Sequence, residues 1–289
     1  MAKRTPGPSM SAAMRSWREN PDPAIGQFLS RLNELAGPDS EFCRWAGLFV
    51  DYLESLELPL TTHDALGLDY EAASWLTQDQ ADRMARILGL KPGVHLLDIG
   101  AGAGWPSLYF AKKSGCDLSL ADPSPDNIAK ARLRAQSDEI AGSWRADIAD
   151  GAALPYADDS FDAISHADVL CCLDAKQEVL NECRRVAKAN CKMSFSVISI
   201  SPDLNDKAHA RALANGPSLM HSVKSYPDML KSAGWQIIDL QNLTHEFLAA
   251  THRQLQIGDG NAEKWKSRIS AIEDGLIRRE LYSATPDGL

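Results

Sequence analysis

The stretch Val94–Gly104, VHLLDIGAGAG, carries a short apolar strand pattern through Asp98 into glycines at positions 100, 102 and 104. Glycine adopts positive φ freely and lets a ligand approach where a Cβ would stand in the way. A parallel strand ending in such a turn offers its ligand a crevice at the carboxyl edge of the sheet. The dinucleotide fingerprint needs glycines at its first, third and sixth positions, and the sixth here is Trp105. An indole at the position where the third glycine packs helix on strand argues against NAD or FAD. An acidic residue two places before the first glycine suits a ligand with an amino group and a sulfonium better than a pyrophosphate.

Strand and helix patterns alternate after this turn, as in a doubly wound, mostly parallel α/β sheet. Strands are expected at 94–99, 117–121, 142–146, 161–166, 192–200, 235–242 and 279–284. Helices are expected at 105–114, 125–136, 174–187 and 224–233, and a helical insertion at about 245–277 before the last strand. Upstream, Ile25, Phe28, Leu29, Leu32 and Leu35, then Phe42, Trp45, Leu48, Phe49 and Leu53, recur at helical spacing. Residues 58–77 have weak periodicity and include His63, Tyr70 and Trp75, a mixture that suits either a lid or a linker fixed by Trp75. Thr77 is placed to cap a helix whose apolar face holds Met84, Ile87 and Leu88. The expected division is an N-terminal helical cover and lid at 1–77 and a ligand-binding domain at 78–289.

Composition narrows the function. With 30 Lys and Arg against 39 Asp and Glu, the net charge of −9 offers no broad basic face for nucleic acid. No apolar run is long enough for a membrane span, and the MAKRTPGPSM start lacks the apolar core of a secretory signal. The six cysteines form no CxxC pair, and the close set Asp168, Cys171 and Cys172 cannot wrap a metal ion, so reduced thiols in a cytoplasmic protein without a metal are expected.

DIGAGAG, then ADPSP at the end of a second strand, then RADIADGAALPYADDSFDAI, resemble the class I, seven-stranded S-adenosylmethionine-dependent methyltransferases. The resemblance runs from about Leu76 to Ile200, three motifs spaced one βα unit apart, with a weaker match beyond. It implies S-adenosyl-L-methionine as cofactor and the N-terminal segment as a cover over the acceptor. Asp98 is then an acceptor for the methionine amine, with helix or turn capping as the structural alternative. Gly100, Ala101 and Gly102 run against the methionine and ribose, and Asp122-Pro123 ends the second strand with a carboxylate for the ribose hydroxyls or with a turn start. Asn127 stands where relatives often place an apolar residue on the adenine. Asp147 accepts from the adenine amine, or is a solvated loop residue, and Ile148 covers the ring face. Ser165 and His166 face the reacting methyl, His166 being a base or acceptor contact, or a structural histidine. Cys171-Cys172 replace the acid–histidine pair that some relatives carry after this strand.

These residues imply methyl transfer to a small-molecule O or N acceptor. The alternatives are methylation of RNA or protein, or cofactor binding without transfer. A homodimer is a further expectation.

Overall fold

A computed structural model describes residues 74–257 and 261–288. The expected helices at 23–56 and the part of the lid at 58–73, with His63 and Tyr70, lie outside the described residues.

Seven strands make one sheet: β1 (His95–Ile99), β2 (Asp117–Asp122), β3 (Trp144–Ile148), β4 (Phe161–Ala167), β5 (Ala187–Ile200), β6 (Trp235–Asn242) and β7 (Ile277–Pro286). Their order is β3-β2-β1-β4-β5-β7-β6. The first five in that order run parallel, and β7 runs antiparallel to both β5 and β6. Chain order reverses at β1, which pairs with β2 on one side and β4 on the other, so a crevice opens beyond its carboxyl end. The antiparallel β7 brings its first residues to that same end of the sheet.

The helices among the described residues are α1 (Gln78–Leu88), α2 (Ser107–Ser114), α3 (Pro125–Ser137), α4 (Lys176–Val186), α5 (Asp206–Asn215), α6 (Ser225–Ser232), α7 (Thr244–Ile257) and α8 (Ala262–Glu273). Thr77 starts α1 with a capping box: its hydroxyl accepts from the Gln80 N–H, and the Gln80 side chain accepts from the Thr77 N–H. Ser124 caps α3 through the Asn127 N–H, with Pro125 in the first turn. One apolar layer joins Met84, Leu96, Leu108, Phe110 and Ile128; the other joins Leu97, Val179, Phe195, Leu230 and Ile272. The expected insertion is the pair α7 and α8. Trp75 is fixed against it, edge-on to Phe247 at 5.2 Å and to Trp265 at 5.9 Å.

Three elements differ from expectation, β3 running 144–148 rather than 142–146, so that Asp147 and Ile148 end the strand instead of following it. Helix α5 lies in 201–223, where no element is expected, and β5 begins at Ala187 rather than 192. No helix among the described residues is long and apolar enough to cross a membrane, and these residues hold no cluster of three or more metal-ligating side chains.

A buried ion pair locks the carboxyl edge. Arg279 on β7 is fully buried and meets Asp168, just past β4, in a two-pronged contact: Nε to Oδ1 at 2.9 Å and Nη2 to Oδ2 at 3.0 Å. The guanidinium also donates to Gln80 Oε1 and Ser196 Oγ, both at 3.0 Å. Ser196 Oγ and the Trp75 N–H donate to the same carboxylate, at 3.0 and 2.8 Å. Removing one partner of a buried pair strands the other charge, typically at a cost of about 3–5 kcal/mol. Arg279→Leu is therefore expected to lower unfolding stability by roughly that amount, and Arg279→Lys by less, because it keeps the charge and loses only the fork. Urea denaturation checks both; an unchanged midpoint in Arg279→Leu would show that the pair is not a stability determinant.

Candidate functional site

The crevice beyond β1 holds a cavity of about 350 Å³. Its floor is the glycine turn, where Gly100 and Gly102 sit at φ +66° and +54°. The two positions need glycine for different reasons. A Cβ on Gly100 would stand 2.5 Å from Val169 Cγ2, so the turn must pack closely under the chain leaving β4. A Cβ on Gly102 would meet nothing within 4 Å, so its backbone lies open to whatever fills the cavity. The Gly100 and Ala101 N–H groups donate to the Ala121 carbonyl at 2.8 and 3.2 Å and dock the turn on the end of β2.

Asp122 closes the next side. Its Oδ2 accepts from the Gly102 N–H at 2.9 Å, and its Oδ1 accepts from the Ser124 N–H at 2.9 Å and Asn127 Nδ2 at 3.1 Å. One carboxylate thus ties the β1 turn, the β2 turn and α3 together. A carboxylate has about four lone-pair sites, so room is left for one further strong donor. Pro123 and Asn127 also line the cavity.

The remaining wall comes from Ala167 to Val169, Cys172, Leu173, Trp105 and Ser74. Trp105 Nε1 donates to the Leu76 carbonyl at 3.0 Å, so the indole pins the segment leading into α1 against the start of α2. Ser74 Oγ is buried with no hydrogen-bond partner. An open glycine backbone, a carboxylate with spare capacity and an orphaned hydroxyl in one cavity suit a ligand rich in hydroxyl and amino groups.

Six of the residues singled out in the sequence (Gly100, Ala101, Gly102, Asp122, Pro123 and Asn127) line this one cavity. The others do not. Asp98 lies beneath the turn, 2% exposed, accepting from Ser165 Oγ at 2.6 Å. Burial pushes its pKa up to about 7, against the opposing pull of the Ser165 and Ser107 hydroxyls. Ile148 is paired in register with Asp122 and is 57% exposed at the carboxyl end of β3. Asp147 accepts from the Tyr156 hydroxyl at 3.0 Å, with Arg145 Nε at 3.4 Å.

His166 is in the core rather than at the reacting edge expected from the sequence. Side chains alternate along β4, so Ser165 and Ala167 share one face and His166 takes the other. The ring is fully buried and stacks on Phe195 at 4.4 Å, with neither nitrogen hydrogen-bonded. Burial pulls its pKa down to about 3, and the neutral ring offers the cavity nothing. Sequence reasoning also missed Ser74, Val169, Cys172 and Leu173 as wall residues, since no motif marks them.

The Asp98 carboxyl gives a signed pH dependence. Its folded pKa lies above the ordinary value, so the unfolded chain ionises first as pH rises. Asp98 therefore costs nothing near pH 3, lowers stability progressively between about pH 4 and 7, and adds no further slope above 7. At 1.36 kcal/mol per pKa unit the full effect is on the order of 4 kcal/mol. Asp98→Asn is expected to remove this component, so the stability difference between the two proteins changes from pH 4 to 7 and then levels off. Denaturation curves at pH 4, 5.5, 7 and 8.5 check it; parallel profiles would mean that Asp98 titrates normally.

Residues 97–195 match the model of a family described as a methyltransferase domain. Among curated proteins, the methyltransferase GfsG of Streptomyces halstedii is 29% identical over 181 residues, 61% of this chain and 63% of that protein. The chain spans less than two thirds of the length of the first curated relatives it matches. The Streptomyces coelicolor A3(2) geranyl diphosphate C-methyltransferase, solved with Mg²⁺, geranyl diphosphate and S-adenosyl-L-homocysteine, superposes with a TM-score of 0.65 at 17% identity, over 72% of this chain and 78% of that one. The Haemonchus contortus phosphoethanolamine N-methyltransferase 2, solved with S-adenosyl-L-methionine, gives 0.68 at 16% identity, over 83% and 60%. At these identities the superpositions show the fold.

Proposed function

We propose that this chain, which carries the class I S-adenosylmethionine-dependent methyltransferase domain, binds S-adenosyl-L-methionine in the cavity beyond β1 and methylates a small molecule. The observation that carries the reading is the Asp122 cradle, which joins the open glycine turn to α3 around a cavity. Bound there, the cofactor supplies a sulfonium-activated methyl group for in-line displacement. The chain's residues then position, shield and orient. Asp122 takes a ribose hydroxyl with its spare lone pair, and takes the second where Asn127 yields its place. Gly100, Ala101 and Gly102 follow the methionine and ribose, and Ile148 covers the adenine beside Asp147. Asp98, bonded by Ser165 Oγ, lies beneath the turn and acts on the methionine amine from there.

The carboxylates lining the cavity among the described residues are Asp122 and Asp168, and both are engaged in hydrogen bonds. His166 is sequestered. This favours alignment and water exclusion over general-base help, and effective-concentration effects of this kind supply several kcal/mol. An amine that arrives deprotonated needs no base, whereas a hydroxyl does. The named activities of the relatives, on phosphoethanolamine and geranyl diphosphate, support a small acceptor. The acidic balance of the chain speaks against nucleic acid. In this reading the free thiols at 116, 171, 172, 183 and 191 suit a reducing cytoplasm.

Calorimetric titration tests the reading: S-adenosylmethionine and S-adenosylhomocysteine are expected to bind with micromolar dissociation constants and NAD not to bind. Asp122→Ala is expected to weaken cofactor binding at least about tenfold, equivalent to about 1.4 kcal/mol. A folded Asp122→Ala protein with unchanged affinity would place the ribose elsewhere. Binding of NAD without S-adenosylmethionine would overturn the function.

A further inference from the structure

The 3₁₀ turn Leu170–Cys172 sets two adjacent thiols in opposite surroundings. Cys171 is buried, whereas Cys172 is exposed and lies in the wall of the cavity that holds Gly100, Asp122 and Asn127. Both sulfurs sit against the Asp168 carbonyl, at 3.2 and 3.7 Å. The neighbouring Cys171 thiol and the Lys176 ammonium both lie close enough to act on the Cys172 sulfur. These two favour the Cys172 thiolate over the opposing effects of burial and the Asp168 carboxylate, and bring its pKa to about 7. The other described cysteines, at 116, 171, 183 and 191, are buried; burial holds Cys116, Cys183 and Cys191 as thiols, and the adjacent Cys172 together with burial does so for Cys171. Ser74 Oγ gives an independent sign that this cavity takes a ligand, being 94% buried in the wall with no partner.

We infer that Cys172 is a modification site inside the cofactor cavity, where a small charged disulfide of the glutathione class forms a mixed disulfide that excludes the cofactor. The Cys172 thiolate attacks one sulfur of the reagent, whose S–S bond breaks. A Cys172–sulfur bond forms, and the other half leaves as a thiolate that takes a proton from water. No outside oxidant is needed, because the disulfide is itself reduced. The attached tripeptide stands between Leu173 and the glycine turn, in the volume that the cofactor needs. This inference rests on the proposed cofactor site.

The test uses the full chain and oxidised glutathione. Titration of the untreated protein with S-adenosylhomocysteine comes first, and absence of binding there strikes the cofactor reading rather than the thiol. After treatment, peptide mapping is expected to place one glutathionyl group on Cys172. Bound S-adenosylhomocysteine should slow that labelling at least fivefold. The labelled protein should bind S-adenosylhomocysteine at least tenfold more weakly and recover on reduction with dithiothreitol. In Cys172→Ser, treatment should leave affinity where it stood before treatment. Labelling confined to other cysteines, or unchanged affinity in a protein labelled at Cys172, would overturn the inference.

Discussion

The Asp168–Arg279 pair is the contact on which the geometry of the carboxyl edge turns. Asp168 holds φ +58°, a conformation an L-residue adopts at a cost. Its carboxylate is met by Arg279, Ser196 and the Trp75 backbone, from β7, β5 and the segment leading into α1. Because the guanidinium also reaches Gln80, the helix cap at Thr77 and the ion pair share a residue. The wall beside the glycine turn is thus fixed by charge and hydrogen bonds on three sides. Buried pairs of this kind contribute less to net stability than to fixing one arrangement, since desolvation offsets much of the attraction.

That arrangement explains why main chain forms the floor of the cavity. Val169 leaves Asp168 directly over Gly100, and the close contact admits no side chain at that position. Asp122 does on the β2 side what Asp168 does on the β4 side: a single carboxylate gathers N–H donors from separate loops. Binding surfaces held this way keep their shape at little entropic cost on ligand entry.

The sheet and its switch point were legible in the sequence because they rest on local patterns: apolar runs, alternating glycines and a Pro after a cap. The glycine turn was legible for the same reason. Helix α5 was not, because Ala212 is its only fully buried residue and no apolar stripe marks it; only the Asn205 cap does. The start of β5 was hidden by a register shift between Phe161 and Ala163 on β4, opposite a polar stretch that reads as a continuing helix. His166 was misplaced because a position on a strand tells little about its face until the register is known. Cys172 and Ser74 lie in the cavity through tertiary packing, and no periodicity announces them.

The ion pair has a consequence for biosynthesis. Its two members are 111 residues apart, with Asp168 made first. At bacterial or eukaryotic translation rates of about 5–20 residues per second, Asp168 leaves the ribosome roughly 6–20 s before its partner. When that interval begins the first four strands are already made, and β5 and β6 follow within it, yet the carboxylate that shapes the edge of the crevice has no counter-charge. The nascent sheet must keep that edge wetted and open until β7 is delivered, so the crevice is among the last parts of the described chain to assume its final form.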